Sequence, residues 1–377
     1  MPTYALRRIL ALVLGLLSAV AGAVGVPDVC AALYGQLPLG ETVKIAASAL
    51  NDGRPVRELA EIDTLKVATY NVLNLIQSPG RYVTDASGQR VWQAGVIEKP
   101  EDQILGVVRA LDDIDADIAV ITETDSLNAL STVTRERMGN RYQPLLIEGN
   151  DGRGIDIGFL VKRDLPVNLE LISHKNVRWR DPSTGREELL FSRDMPVLVV
   201  KNARTDEPMV VVVGTHNKSQ RPSPGDPNSG RQRKAQADQQ AATIARIRQQ
   251  LGPKVLIVQT GDFNRHIPGN TEFDALRTQG LADAFDLLPN PPPVAARSTH
   301  SFHPREGGTS YSQLDGMFLP REDAPLVRDV GVYHYKDAQG RDLPLPRSFA
   351  ERERQPSDHR PLWMTLDFRA LRERFNP

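Results

Sequence analysis

Eight residues drawn only from Asn, Asp, Glu and His sit at the ends of short apolar runs in this chain. Asn71 follows LKVATY, Glu123 follows DIAVIT, and His216 follows VVVGT. Asp262 and Asn264 lie in the turn after VLIVQT, Asp315 opens DGMFLP, and Asp358-His359 precedes PLWMTL. Any one of them alone is ordinary turn or cap chemistry. Together they form the set that metal-assisted phosphoester hydrolysis requires. A hard cation such as Mg²⁺ takes oxygen ligands and keeps places for water and phosphate oxygens. Glu123 with one or two Asp or Asn oxygens suffices for that. Histidines then contact the phosphate or move protons near neutral pH. Other chemistries lack their signatures. The chain has no cysteine pair and no HExxH helix for zinc, no GxSxG elbow and no GxxxxGK[ST] phosphate loop.

The elements that must position these residues follow from periodicity. Val255–Arg265, VLIVQTGDFNR, is the organising stretch: a buried strand that opens onto a carboxylate and a carboxamide two residues apart. Leu65–Tyr70 reads as a strand, residues 77–95 as an exposed loop beside its end, and Ile104, Leu105, Val107, Val108, Leu111 and Ile114 as the stripe of a helix. Strands are expected at 117–122, 155–161, 189–200, 209–215, 314–319 and 361–368. Helices are expected at about 231–251, with Ala237, Ala241, Ile244, Ile247 and Leu251 inward, and near 271–278. Pro291, Pro292 and Pro293 read as an internal loop, because strands completing the same sheets follow them. The alternation predicts α/β layers with mixed sheets, and runs such as DIAVIT suit strands covered on both faces.

The chain has 377 residues, 25% charged and 40% hydrophobic, with mean hydropathy -0.35, as expected of a globular protein with a substantial core. Net charge of -1 and a pI of about 6.7 provide no global field toward nucleic acid, although binding charge can be confined to one face. Arg7 and Arg8 precede an apolar run from Ile9 to about Val26, and Ala21-Gly22-Ala23 offers a cleavage site. Residues 1–23 therefore read as a secretory signal peptide, with Val24 as first mature residue. The competing reading is an uncleaved membrane anchor, since the run approaches bilayer-spanning length. Cys30 is the sole cysteine, so no intramolecular disulfide can form. Residues 24–62 read as a leader, and 63–372 as the main domain.

The ordered pieces ATYNVLN, ITET, GRGIDIGFL, THNKS, TGDFNR, SQLDGMFL and PSDHRPL give the chain a specific resemblance. It resembles the endonuclease/exonuclease/phosphatase superfamily of metal-dependent phosphoesterases over roughly residues 63–370. The resemblance implies a four-layer α/β sandwich, two mixed β-sheets face to face with helices outside, and an active site at one end. It implies that Glu123 is the principal metal ligand, that Asn71 completes the metal and phosphate environment, and that Asp358 serves the metal or the electrostatics of the site. It further implies that Asp262 and Asn264 orient or activate water, that His216 contacts phosphate, and that Asp315 pairs with His359. Asp262 is one candidate for the general base. Thr215 and Asn217 depart from the family's usual neighbours of the histidine, which puts the local loop shape in question.

Lys218, Arg153 and Arg360 are the candidate phosphate contacts, and Lys218, Arg221, Arg231, Arg233 and Lys234 could form a positive rim for a polyanion. Tyr82, Trp92 and Tyr311 are candidate base-stacking residues. The leading expectation is a secreted or periplasmic Mg²⁺ (or Mn²⁺) phosphodiesterase, a monomer with nucleic acid as substrate. The alternatives are a lipid or small-molecule phosphoesterase of sphingomyelinase type, which should show an apolar projecting hairpin, and a catalytically silent binding protein.

Overall fold

Valine and isoleucine runs with side chains alternating between two faces build the centre of the molecule. In the computed structural model, which describes residues 40–375 apart from 79–80, 85–87, 94, 224 and 305–307, they form two large mixed sheets. The seven-stranded sheet runs in the order β1 (Thr42–Ile45), β8 (Val167–Ile172), β11 (Val197–Asn202), β12 (Pro208–His216), β13 (Leu256–Asp262), β17 (Asp315–Pro320), β14 (Leu281–Asp283). The six-stranded sheet runs β18 (Val327–Val332), β19 (Leu362–Asp367), β2 (Thr64–Leu75), β5 (Ile118–Thr124), β7 (Asp156–Lys162), β6 (Tyr142–Leu146). The pairs β12/β13 and β2/β5 are parallel, and their sheet neighbours are antiparallel.

Period two decides which residue goes where. Val67, Ile118, Val120 and Phe159 from one sheet share a core with Val210, Val212, Leu256 and Val258 from the other. Their neighbours along the strands, Ala68, Tyr70, Ala119, Ile121 and Leu160, face outward onto Ile104, Val107 and Leu111 of helix α1 (Glu101–Ile114) and Leu130 and Val133 of α2 (Leu127–Arg137). Helix α3 (Gly230–Leu251) covers the seven-stranded sheet, where Gln240 accepts from Gln259 of β13. The result is a four-layer α/β sandwich. Each fully buried Val, Leu or Ile contributes ~1.5–3 kcal/mol.

Several local expectations are corrected. Residues 77–95 include a two-stranded hairpin, β3 (Arg81–Thr84) with β4 (Arg90–Gln93), rather than only loop. Residues 189–200 are not one strand: Leu189 ends β10 (Glu187–Leu189), which pairs with β9 (Arg178–Arg180), and β11 starts at Val197. Between them Asp194 takes a positive φ of 68° and accepts from the amides of His174 and Met195, which turns the chain between strands. Within residues 24–62, Thr42–Ile45 pairs with β8 as the edge strand of the larger sheet, and Asn51 donates to the carbonyls of Arg163 and Leu165. This part of the expected leader is thus integral to the fold. A last small hairpin pairs β15 (His300–Phe302) with β16 (Ser310–Ser312). The expected signal segment, residues 1–23, lies outside the described residues. Among the described residues no helix is long and apolar enough to cross a membrane.

One glycine fixes the register at the end of the larger sheet. Gly261 lies opposite Thr215 with φ 147°, and a Cβ there would come within 1.8 Å of the Thr215 carbonyl oxygen. Only glycine permits so close an approach. Gly261→Ala is expected to destabilise the protein by more than ~4 kcal/mol, a size confined to mutations with a named structural cause. Urea denaturation followed by circular dichroism measures this, and an unchanged midpoint would contradict the register.

Candidate active site

Strand pairing alone aligns three of the predicted residues. His216 ends β12 opposite Asp262, which ends β13, and Asp262 in turn lies opposite Asp315, the first residue of β17. His359 enters this row from the loop before β19, its Nδ1 donating to Asp315 Oδ2 at 2.7 Å. The β19 loop is tied down from two sides. Ser357 Oγ donates to the Asn71 carbonyl at 2.7 Å and accepts from the His359 amide, and Tyr335, hydrogen-bonded to Tyr70, donates to the His359 carbonyl.

The other sheet supplies Asn71 and Glu123 through two irregularities. The β2/β5 register shifts between Asn71 and Leu75, where Leu73 and Asn74 have φ of 50° and 57°. The β5/β7 register shifts around Glu123, whose φ is 65°. Bulges re-aim side chains, and each left-handed non-glycine residue costs ~1–3 kcal/mol that the surroundings must offset. The Asn71 amide donates to Glu123 Oε1 at 3.3 Å and to Asp262 Oδ2 at 3.1 Å, so it joins the two sheets. Asn74 N donates to Glu123 Oε2, and buried Lys99 anchors the bulge by donating to the Leu73 carbonyl. Burial pulls the Lys99 amine down to about 8, against the opposing influence of Asp358 and Glu123.

Asp262 is the hub. Its Oδ1 accepts from Asn264 N at 2.7 Å, and its Oδ2 lies 3.6 Å from His216 Nε2 and 3.9 Å from His359 Nε2. The side-chain Nδ2 of Asn264 (φ 55°) donates to the Asn217 carbonyl. His216 Nε2 is 4.0 Å from Glu123 Oε1. The two histidines are tuned oppositely. Burial, reinforced by Arg193, His359 and Arg153, pushes His216 well below the ordinary histidine range, leaving it neutral. Burial acts the same way on His359, but Asp315 and then Asp262 outweigh it and hold the imidazolium well above that range. Burial pushes Asp262 up, with Asp315 adding to it and His359 opposing.

The structure brings together Asn71, Glu123, His216, Asp262, Asn264, Asp315 and His359. Asp358 is at the margin: its carboxylate faces His300 at 3.7 Å and Arg352 at 3.6 Å, which with His359 hold it below the usual carboxylate range despite burial. Arg153 and Lys218 line a cleft of about 270 Å³ that opens beside Glu123, His216 and Asn264. Arg360 is corrected. Its guanidinium is buried, donating to the Leu343 carbonyl and contacting His334, and does not line that cleft. Tyr311 donates to the Pro346 carbonyl and the Tyr82 ring lies beneath Arg90, while the Trp92 side chain is outside the described set. A larger cavity, about 490 Å³ between Gln77, Ile104 and Asn128, holds the Glu101–Arg137 ion pair but no histidine or site carboxylate.

Sequence reasoning missed Arg193, His300, Gln236 and Gln240, and it offered Arg233 as part of an exposed rim although Arg233 is fully buried and paired with Glu272. Arg193, buried and paired with Asp151 at 3.1 Å, lay inside a supposed strand. His300, its ring 4.6 Å from that of His359, has no motif around it. On α3, Gln236 accepts from Lys218 N, Gln240 donates to Asn217 Oδ1, and Arg233 donates to the Lys218 carbonyl. These three polar residues hold the loop after His216 from beneath. Their spacing of three and four residues was the available signal.

The donor set fits a hard divalent cation. Glu123 and Asp262 converge on one neutral amide, and two carboxylates so placed call for positive charge between them. A second grouping, Asp262 with Asp315 and His359, also brings ligand atoms within 4.8 Å of one another.

Comparison with known proteins identifies the family. Among solved structures the chain is similar to truncated TDP2 from Caenorhabditis elegans, with 15% identity over 81% of this chain and 97% of that one and a TM-score of 0.48. It is likewise similar to the human Nocturnin catalytic domain, with 15% identity, 86% and 96% coverage and a TM-score of 0.48. A mannosyl-6-phosphatase from Bacteroides thetaiotaomicron shows 15% identity, 80% and 99% coverage and a TM-score of 0.46. No curated protein sequence matches significantly. The profile of the Endonuclease/Exonuclease/phosphatase family matches residues 68–359, from the strand carrying Asn71 to His359 itself. The chain therefore belongs to the endonuclease/exonuclease/phosphatase family.

Proposed function

We infer that this protein is a Mg²⁺- or Mn²⁺-dependent phosphodiesterase that hydrolyses nucleic acid outside the cytoplasm, secreted or periplasmic, as a monomer. Its family is one of phosphoester hydrolases that are generally metal-dependent. The observation that carries the reading is the meeting of Glu123, Asn71 and Asp262 with the His359–Asp315 pair and neutral His216. Diester hydrolysis needs an aligned water and positive charge around the pentavalent transition state. A cation held by Glu123 and Asn71 would supply part of that charge to the phosphate oxygens.

The chain's own residues supply the rest. His359, kept as an imidazolium by Asp315, is a fixed positive donor for a phosphate oxygen, and Asp358 with His300 braces it. Neutral His216 presents Nε2 to the site without adding charge. Asp262, backed by Asn264, is placed to orient the water and receive its proton. The cationic cleft and the signal-like N-terminus support nucleic acid and an extracytoplasmic location. The β3–β4 hairpin with exposed Tyr82 favours lipid as the second reading, though Arg90 stacked on Tyr82 weakens it.

Purified protein incubated with Mg²⁺ or Mn²⁺ is expected to cleave plasmid DNA, RNA or bis-p-nitrophenyl phosphate. Glu123→Ala and His359→Ala should each lose at least ~10²–10³-fold in kcat, the scale for removing one electrostatic contributor. Activity that survives EDTA, or equal rates in variants and wild type, would contradict the mechanism. Cleavage of sphingomyelin with nucleic acid intact would select the lipid reading.

The pH profile gives a separate test. If protonated His359 is the working form, kcat/KM holds below its raised pKa and falls as pH rises through it. Asp315→Asn removes its strongest partner, lowers that pKa, and should move the alkaline limb to lower pH. An unmoved limb would remove His359 from that role.

A further inference from the structure

The cleft beside the site is more cationic than one scissile phosphate requires. Arg153, Arg193, Lys218 and Arg221 line it, against Glu123 and Asp151. They come from three separate segments: the turn before β7, the segment before β11 and the loop after β12. Asp151 is shared between Arg153 at 3.3 Å and Arg193 at 3.1 Å. Glu123 accepts from Asn71 and Asn74 and keeps its charge, so two carboxylates face four cations. Lys218 and Arg221 have no carboxylate within ion-pair distance among the described residues. Arg193 is almost fully buried, and its position is set by donation to the Asn217 carbonyl and pairing with Asp151. Like charges drawn together with so little compensation form a standing site for an anion.

The cleft adjoins the reaction centre without coinciding with it. Glu123, His216 and Asn264 form the shared wall, whereas Asn71, Asp262, Asp315, Asp358 and His359 do not line it. The four cations thus lie to one side of the reaction centre, beyond the wall shared through Glu123, His216 and Asn264. The cleft's lining is charged and polar and, among the described residues, offers no Phe, Tyr or Trp face to stack on a base, which suits a phosphate group better than a nucleoside.

The geometry points to a second phosphate subsite, formed by Arg153, Arg193, Lys218 and Arg221, that holds a non-reacting phosphate of the same strand beside the scissile one. The assignment rests on the diesterase reading and narrows its substrate: each nucleotide of a strand carries such a phosphate, and an isolated diester has none.

The test compares TpT with dinucleotides carrying an added phosphate at the 5′ or the 3′ end, in wild type and in Arg153→Ala/Arg221→Ala. Both substituted side chains are at the surface, so the fold should tolerate their removal. In wild type one of the two added phosphates should raise kcat/KM tenfold or more over TpT, and the double variant should bring that ratio below threefold. No preference in wild type, or a preference kept by the variant, overturns the subsite. Failure to cleave any of the three marks failure of the diesterase reading instead. The subsite is then read by calorimetric titration of inorganic phosphate into EDTA-treated protein. A tenfold weaker affinity in the double variant supports it, and equal affinity overturns it.

Discussion

The site depends on one carboxamide that holds two sheets together at their ends. Asn71 belongs to the six-stranded sheet and donates to a carboxylate from each sheet, Glu123 and Asp262. Asp262 is in turn aligned by pairing with His216 on one side and Asp315 on the other. Backbone hydrogen bonds set the row across β12, β13 and β17, and the side-chain bridge sets its distance from Glu123. Strand register sets His216, Asp262 and Asp315, and hydrogen-bonded loops add His359 and Asn264, giving the rigid constellation that preorganised electrostatics requires.

The departures from regular structure all serve that arrangement. Glycine at 261 lets β13 approach the Thr215 carbonyl, and the bulges at 71–75 and at Glu123 turn those side chains toward the opposite sheet. The positive φ angles of Leu73, Asn74, Glu123 and Asn264 are the local cost, offset by hydrogen bonds from Lys99 to Leu73, from Asn74 to Glu123 and from Asn264 to Asn217. Beneath the loop of His216, the buried face of α3 carries Arg233, Gln236 and Gln240 among its alanines and isoleucines. Arg233 and Gln236 satisfy the Lys218 backbone, and Gln240 satisfies the Asn217 side chain, groups that would otherwise be buried without partners. Thr215 and Asn217, the departures noted beside His216, are part of this support, bonded to Gln259 and Gln240.

What the sequence made legible was what periodicity and chemistry encode together. Apolar runs ending in Asn71, Glu123, His216 and Asp262 announced both strands and site, because a buried strand's end is where a polar side chain can face a cleft. Strands with weaker signals were lost. Tyr142–Leu146 contains a proline, and Val167–Ile172 includes a buried Glu170 whose charge is matched by Lys201. Arg360 was misplaced because adjacency to His359 in sequence says nothing about direction: successive side chains leave an extended segment on opposite sides. Arg193 and His300 carry no local pattern. Their place depends on long-range packing against Asp151 and against His359.

The opposite tuning of the two histidines shows how the ends of two sheets become one electrostatic unit. His216 faces Asp262 but is buried among cations, whereas His359 is held between Asp315 and Asp262. A cation at Glu123 would complete the balance of this unit. Diffraction at the manganese edge from crystals soaked in Mn²⁺ tests that most directly. The account predicts an anomalous peak bonded to a Glu123 carboxylate oxygen and within reach of Asn71 and Asp262. Saturating Mn²⁺ that leaves no peak at Glu123 would contradict it.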